Sequence, residues 1–119
     1  MAVIRNFRDL TVWQKAHGLV LATYKLTKSF PDDERFGLVS QMRRASVSVA
    51  ANIAEGFVRK GRQDKLHFYN IAQGSLEETK YYLILAKDLG YTKDTSAEAK
   101  VAGDVGRLLY ALMLSIEGQ

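Results

Sequence analysis

A chain of 119 residues, 47% hydrophobic and 25% charged, can build one packed core and is too short for two. It contains no cysteine, which excludes a disulfide frame, a thiolate nucleophile and a cysteine-ligated zinc or iron–sulfur centre. The net charge is +4, and a single proline leaves few obligatory breaks, so long helices are expected. The opening Met-Ala-Val-Ile-Arg-Asn-Phe-Arg carries an apolar stretch too short and too charged for a secretory signal. No apolar run approaches the ~20 residues needed to span a bilayer. The expected location is the cytoplasm, with no membrane partner.

The first helix is expected over 9–28. Asp9 or Thr11 can cap it, because a short oxygen-bearing side chain satisfies the free N–H groups at a helix start. Leu10, Trp13, His17, Val20, Leu21, Tyr24 and Leu26 or Thr27 supply a helical stripe. On that stripe Trp13 reads as a core anchor and His17 as a packed histidine rather than a catalyst. Phe30-Pro31 then breaks the helix, and Asp32, Asp33 and Glu34 suit the positive end of the next one.

The second helix is expected over 34–59, with Arg35 to Leu38 as a loosened first turn. Leu38, Val39, Met42, Ala45, Ser46, Val49, Ile53 and Phe57 form one apolar face. Gln41, Ser48, Asn52, Glu55 and Arg59 form a polar line beside it. Val47, Ala50, Ala54 and Val58 form a second apolar line of mostly small side chains. Two apolar faces offer more surface than one neighbouring helix can cover, which predicts self-association through Val47, Ala50, Ala54 and Val58.

Gly61 to Asp64 reads as a turn, with Asp64 capping a third helix over 64–89 that stops at Gly90. Phe68, Ala72, Ser75, Leu76, Thr79, Leu83 and Ala86 are its inner face. Tyr81 and Ile84 lie on the far side and join the expected subunit contact. Thr95 or Ser96 starts a fourth helix over 96–116, carrying Val101, Val105, Leu108, Leu109, Leu112 and Ile116. Gly103 and Gly106 weaken it unless close packing needs them. Long amphipathic helices with short connections predict an all-α, antiparallel up-down-up-down four-helix bundle in a single domain over 1–119.

The chemistry is sparse. Gly56 and Gly61 have the glycine spacing of a phosphate-binding loop, but Arg62-Gln63 replaces Lys-Ser/Thr and a helix precedes it. A di-iron bundle needs Glu-x-x-His pairs, and neither His17 nor His67 stands three residues after a glutamate. No metal, cofactor or small-molecule substrate is implied. Asn52, Glu55, Ser75 and Glu78 can face one another across the second and third helices. Such a group more often fixes helix register than performs acid–base catalysis, and no nucleophile accompanies it. No enzymatic activity is expected.

The charge is informative in its placement. Between residues 41 and 66, six basic residues stand against two acidic ones, an excess of four that equals the whole net charge. The other 11 basic and 11 acidic residues cancel. Arg43, Arg44, Arg59, Lys60, Arg62 and Lys65 are therefore the candidate phosphate contacts, with Tyr69 or His67 available to stack on exposed bases. The bland alternative is a solvated helix end and loop.

Four blocks carry a family likeness. They are Phe7-x-Asp9-Leu10-x-Val12-Trp13-Gln14-Lys15-Ala16, Phe30-Pro31-x-x-Glu34-x-Phe36-Gly37-Leu38-x-Ser40-Gln41-x-Arg43-Arg44-Ala45, Asn52-Ile53-Ala54-Glu55-Gly56 and Gly74-Ser75-Leu76-x-Glu78. With these the chain resembles the four-helix-bundle proteins of the 23S rRNA intervening-sequence family, over roughly Phe7 to Tyr91. Thr79, where leucine would be usual, departs mildly from the pattern, and the fourth helix carries almost no diagnostic residue. The resemblance implies an antiparallel bundle without enzymatic activity and a homo-oligomeric ring of five subunits. It also implies association with structured RNA or with a nucleic-acid enzyme. The alternative role is a protein–protein scaffold in which the basic residues dock another protein.

Overall fold

The computed structural model describes residues 3–118. Four helices account for the architecture: α1 (Thr11–Thr27), α2 (Leu38–Val58), α3 (Arg62–Asp88) and α4 (Ser96–Glu117). A 3-10 turn, Phe7–Asp9, precedes α1, and another, Asp32–Glu34, precedes α2. No strand occurs among the described residues. The helices form a bundle of 46 × 26 × 20 Å in which α2 lies between α1 and α3, and α4 closes the ring between α3 and α1.

Residue pairings give the directions. Arg43 near the start of α2 reaches Thr27 at the end of α1, so these two helices are antiparallel. Ser48 bonds Ser75 and Arg44 bonds Glu78, so α2 and α3 are antiparallel as well. Gly106 faces Leu76 and Lys80, which places the N-terminal half of α4 beside the C-terminal half of α3.

The core repeats at alternating three- and four-residue steps. The buried positions on this repeat are Tyr69, Ala72, Leu76, Thr79, Leu83 and Ala86 on α3, and Val39, Met42, Ser46, Val49, Ile53 and Gly56 on α2, with Ser75, Leu38, Ala45 and Ala50 buried beside them. This spacing keeps one seam facing the bundle axis along each helix. The expected inner face of α3 shifts in its second turn, where Tyr69 is buried and Phe68 sits at the margin.

In α1 the expected stripe is out of phase by one position. Val12, Ala16, Leu19, Thr23 and Thr27 are buried, whereas His17, Leu21 and Tyr24 are exposed and Trp13 is only partly covered. The large apolar residues drew the expected stripe to the wrong face. The true one uses threonines whose hydroxyls are satisfied inside the helix: Thr23 donates to the Leu19 carbonyl and Thr27 to that of Thr23, both at 2.8 Å. A hydroxyl so paired buries at little cost.

Several helix ends also differ from expectation. Leu10, without a side-chain cap bond, precedes α1, because the Asp9 carboxylate turns back to accept from the Arg5 and Asn6 amides. These bonds hold the Asp9 carboxyl below its usual pKa. Gly61 takes the capping position before α3, so Asp64 lies in the first turn of the helix rather than at its cap. Thr95 makes no cap bond either; the Asp94 carboxylate accepts from Ser96 N–H and hydroxyl instead. Helix α2 begins at Leu38, four residues later than expected, because Glu34 closes a 3-10 turn and lends its side chain to the helix end.

That end is tied to the α3–α4 connection. The Glu34 carboxylate accepts from Leu38 N–H at 3.2 Å and from the Tyr91 hydroxyl at 2.7 Å. A Cβ at Gly37 would stand 2.7 Å from this carboxylate, so a larger residue there would push the flexible Glu34 side chain from its cap. Tyr91 is aimed there by Gly90, whose φ of +81° suits a left-handed helix stop. Tyr91 N–H then bonds the Ala86 carbonyl and Gly90 N–H that of Lys87, both at 3.0 Å. Both tyrosine and glutamate respond: the shared bond lowers the Glu34 pKa and raises that of Tyr91.

Candidate nucleic-acid interface

The antiparallel turn between α2 and α3 gathers Arg59, Lys60, Arg62 and Lys65 at one end of the bundle. Lys65 donates to the Gly56 and Phe57 carbonyls at 3.2 and 2.8 Å, so its charge covers the exposed carbonyl end of α2. Arg59 pairs with Glu55 at 3.0 Å and lies over the Phe68 ring, 4.8 Å from its centre. His67 is exposed and meets Phe68 edge-on at 5.0 Å.

Arg43 and Arg44 belong to a different place. They precede Arg59 by 15 or 16 residues on one helix, roughly 24 Å along its axis. Arg43 donates to Thr27 Oγ1 at 3.0 Å and stacks 4.5 Å from the Tyr24 ring centre, on the α1 side. Arg44 turns the other way, to Glu78 and Gln41. The six cations thus form two groups rather than one patch.

Tyr69 does not serve as a base-stacking residue. It is 1% exposed, and its ring lies flat against Gly56, where a Cβ would come within 2.5 Å of Tyr69 Cε1. The glycine of Asn-Ile-Ala-Glu-Gly is therefore a packing requirement between α2 and α3. Burial also pushes the Tyr69 phenol above its usual pKa.

The four residues expected to share a polar layer are separated. Asn52 bonds Ser48, and Ser48 bonds Ser75 at 2.7 Å, so these two do meet through a common hydroxyl. Glu55 and Glu78 do not join them. Each carboxylate has its own arginine, and those partners, Arg44 on α2 and Arg59 just past its end, lie 15 residues apart. The polar side of the α2–α3 seam is a ladder of short pairings, and its two glutamates are too far apart to act on one bond. Among the described residues no group of three or more His, Asp or Glu side chains is placed to hold a metal ion.

The second apolar line of α2 is only partly available to a partner. Ala50, expected at a subunit contact, is 8% exposed and belongs to the core beside α1. Val47 and Val58 are exposed, as are Tyr81 and Ile84 on α3, while Ala54 is half-buried. Between α1 and α2 lies an open groove of about 250 Å³ lined by Phe7, Trp13, His17, Val20, Val47 and Ala54, nearly without polar atoms. Trp13 stacks on His17 at 5.0 Å and takes the edge of Phe7 at the same distance.

Two contributors escaped sequence reasoning. The Phe7–Asp9 turn packs against α2, and Phe7 shares a groove with Ala54, so exposed Arg5 and Arg8 stand on a segment beside the C-terminal half of that helix. Charge counting along the chain missed them, and only the antiparallel return of α2 could have signalled them. The other is Phe36, 87% exposed and flanked by Arg35 at 5.3 Å, beside an arginine-lined groove on α2.

The fold is a four-helix bundle with charged and apolar surfaces distributed along one helix. The sequence profile described as 23S rRNA-intervening sequence protein matches residues 8–108, and the chain belongs to that family. A crystal structure from Bacteroides thetaiotaomicron, a protein with unknown function from the S23 ribosomal protein family, is similar with a TM-score of 0.77. It is 23% identical, and the match covers 87% of this chain and 98% of that one. A comparison with curated proteins finds no match. No helix among the described residues is long and apolar enough to cross a membrane.

Proposed function

We propose that this protein is a non-catalytic, homo-oligomeric RNA-binding module of the cytoplasm. The observation that carries the reading is the confinement of the net positive charge to residues 41–66, which fold into α2 and its turn into α3. Cations in two groups, one at the start of α2 and one at its turn into α3, exchange salt ions for RNA phosphates, and each copy in an assembly adds contacts without new chemistry. Self-association is supported by the apolar groove between α1 and α2, together with exposed Val47, Val58, Tyr81 and Ile84. Family likeness favours a ring of five. Titrating a structured RNA at rising salt tests the reading: affinity should fall steeply, and a flat dependence or no binding at low salt would refute it.

A second reading, a scaffold that docks another protein, draws on Tyr110 and Leu114, both exposed on α4 beside Asn70 and Gln73 of α3. Pull-down after nuclease treatment separates the two. Partners that vanish with the RNA support the first reading, and partners that persist support the second.

A further inference from the structure

We infer that the groove between the end of α1 and the N-terminal half of α2 is a site for single-stranded RNA, with an unpaired base on Phe36 and phosphates on Arg35, Arg43 and Arg44. The inference rests on the RNA-binding reading above and names the class of RNA. The groove extends from Phe36 to Asn52 and encloses about 740 Å³. Three arginines line it and no acidic side chain does, so its field favours a polyanion. Its helical part, from Leu38 to Asn52, rises roughly 21 Å, the rise of about six stacked nucleotides at ~3.4 Å each.

The aromatic groups decide between strand and duplex. Phe36 is 87% exposed, and one guanidinium, that of Arg35, lies 5.3 Å from its centre. At the opposite wall the Arg43 guanidinium lies 4.5 Å from the Tyr24 ring centre while its Nε is held by Thr27. Aromatic rings and fixed guanidinium planes are what unstacked bases bind. A duplex keeps its base faces inside and would meet only the arginines. Arg44 borders the groove, while its guanidinium pairs with Glu78 of α3 at 3.0 Å, so a phosphate there shares it with that carboxylate. The groove adjoins the apolar one at Val47 and Ala51, so strand binding and self-association would occupy neighbouring stretches of α2.

Fluorescence anisotropy of the full chain, with a labelled ten-nucleotide adenosine strand and a ten-base-pair RNA duplex, tests this. The strand should bind at least about tenfold more tightly, and Phe36→Ala should weaken it about 5- to 100-fold, the loss of one stacked base. Duplex binding should not change, and Phe36→Tyr should restore the strand affinity. Equal binding of strand and duplex, or an unchanged Phe36→Ala, overturns the inference. So does a Phe36→Ala variant whose molar mass by light scattering drops, since the groove would then belong to a second copy. If Arg59→Gln with Arg62→Gln weakens both RNAs while Phe36→Ala weakens neither, the RNA-binding reading survives and this inference fails. If neither RNA binds at low salt, both fall.

Discussion

The two sides of α2 are built differently. Toward α3 the seam is closed: Tyr69 lies on Gly56, Ser48 meets Ser75, and Arg44 and Glu78 bridge the rim. Toward α1 the same helix leaves Val47 exposed beside Trp13 and opens two adjoining grooves. Sequence alone makes these sides look alike, since both carry apolar or small residues at helical spacing. What separates them is whether the neighbour's side chains reach across. A closed seam serves the fold, and an open one offers surface to a partner.

Substitutions sharpen that contrast, and those in the closed seam should cost most. Tyr69→Ala should lower unfolding stability by about 3–5 kcal/mol in chemical denaturation, as for other large buried aromatics. Gly56→Ala drives a methyl into the same ring and should cost about 1–3 kcal/mol by overpacking. The two share one contact, so their effects should not add. Ser75→Ala, which removes the Ser48–Ser75 bond and leaves the Ser48 hydroxyl only Asn52, should cost about 1 kcal/mol. On the open side the pattern should reverse. Val47→Glu should change stability by no more than about 0.5 kcal/mol, as an exposed position allows, yet disrupt association.

A smaller effect concerns acid. The Glu34 pKa is depressed by the Tyr91 hydroxyl and the Leu38 amide, so its stabilisation is complete above the unfolded pKa, about 4.3. It should be lost as pH falls through the lower folded value. Thermal melts from pH 6 to pH 3 should show a shallower acid loss for Glu34→Gln than for the unaltered chain. Identical profiles would mean that the cap does not contribute.

The helices and most of the core were legible because three of the four follow an apolar repeat that packing enforces. Helix α1 was not, apart from Thr27, because Val12, Ala16, Leu19 and Thr23 went unread while Leu21 and Tyr24 read as core. Only the i−4 hydroxyl bonds explain why threonine wins there. The stop at Gly90 was readable from the residue itself, whereas the reason for Gly56 needed Tyr69 in three dimensions. Of the candidate interface, the cations were visible in sequence. Their division into two groups was not, since 15 residues of helix is a short stretch of text and a long distance in space.

Size-exclusion chromatography with light scattering on the unaltered chain and on Val47→Glu tests the central claim most directly. The unaltered protein should run as a multiple of its 13.3 kDa subunit, and the variant as a folded species of lower mass. A stable monomer in the unaltered sample, with Val47 and Tyr81 open to water, would contradict the account.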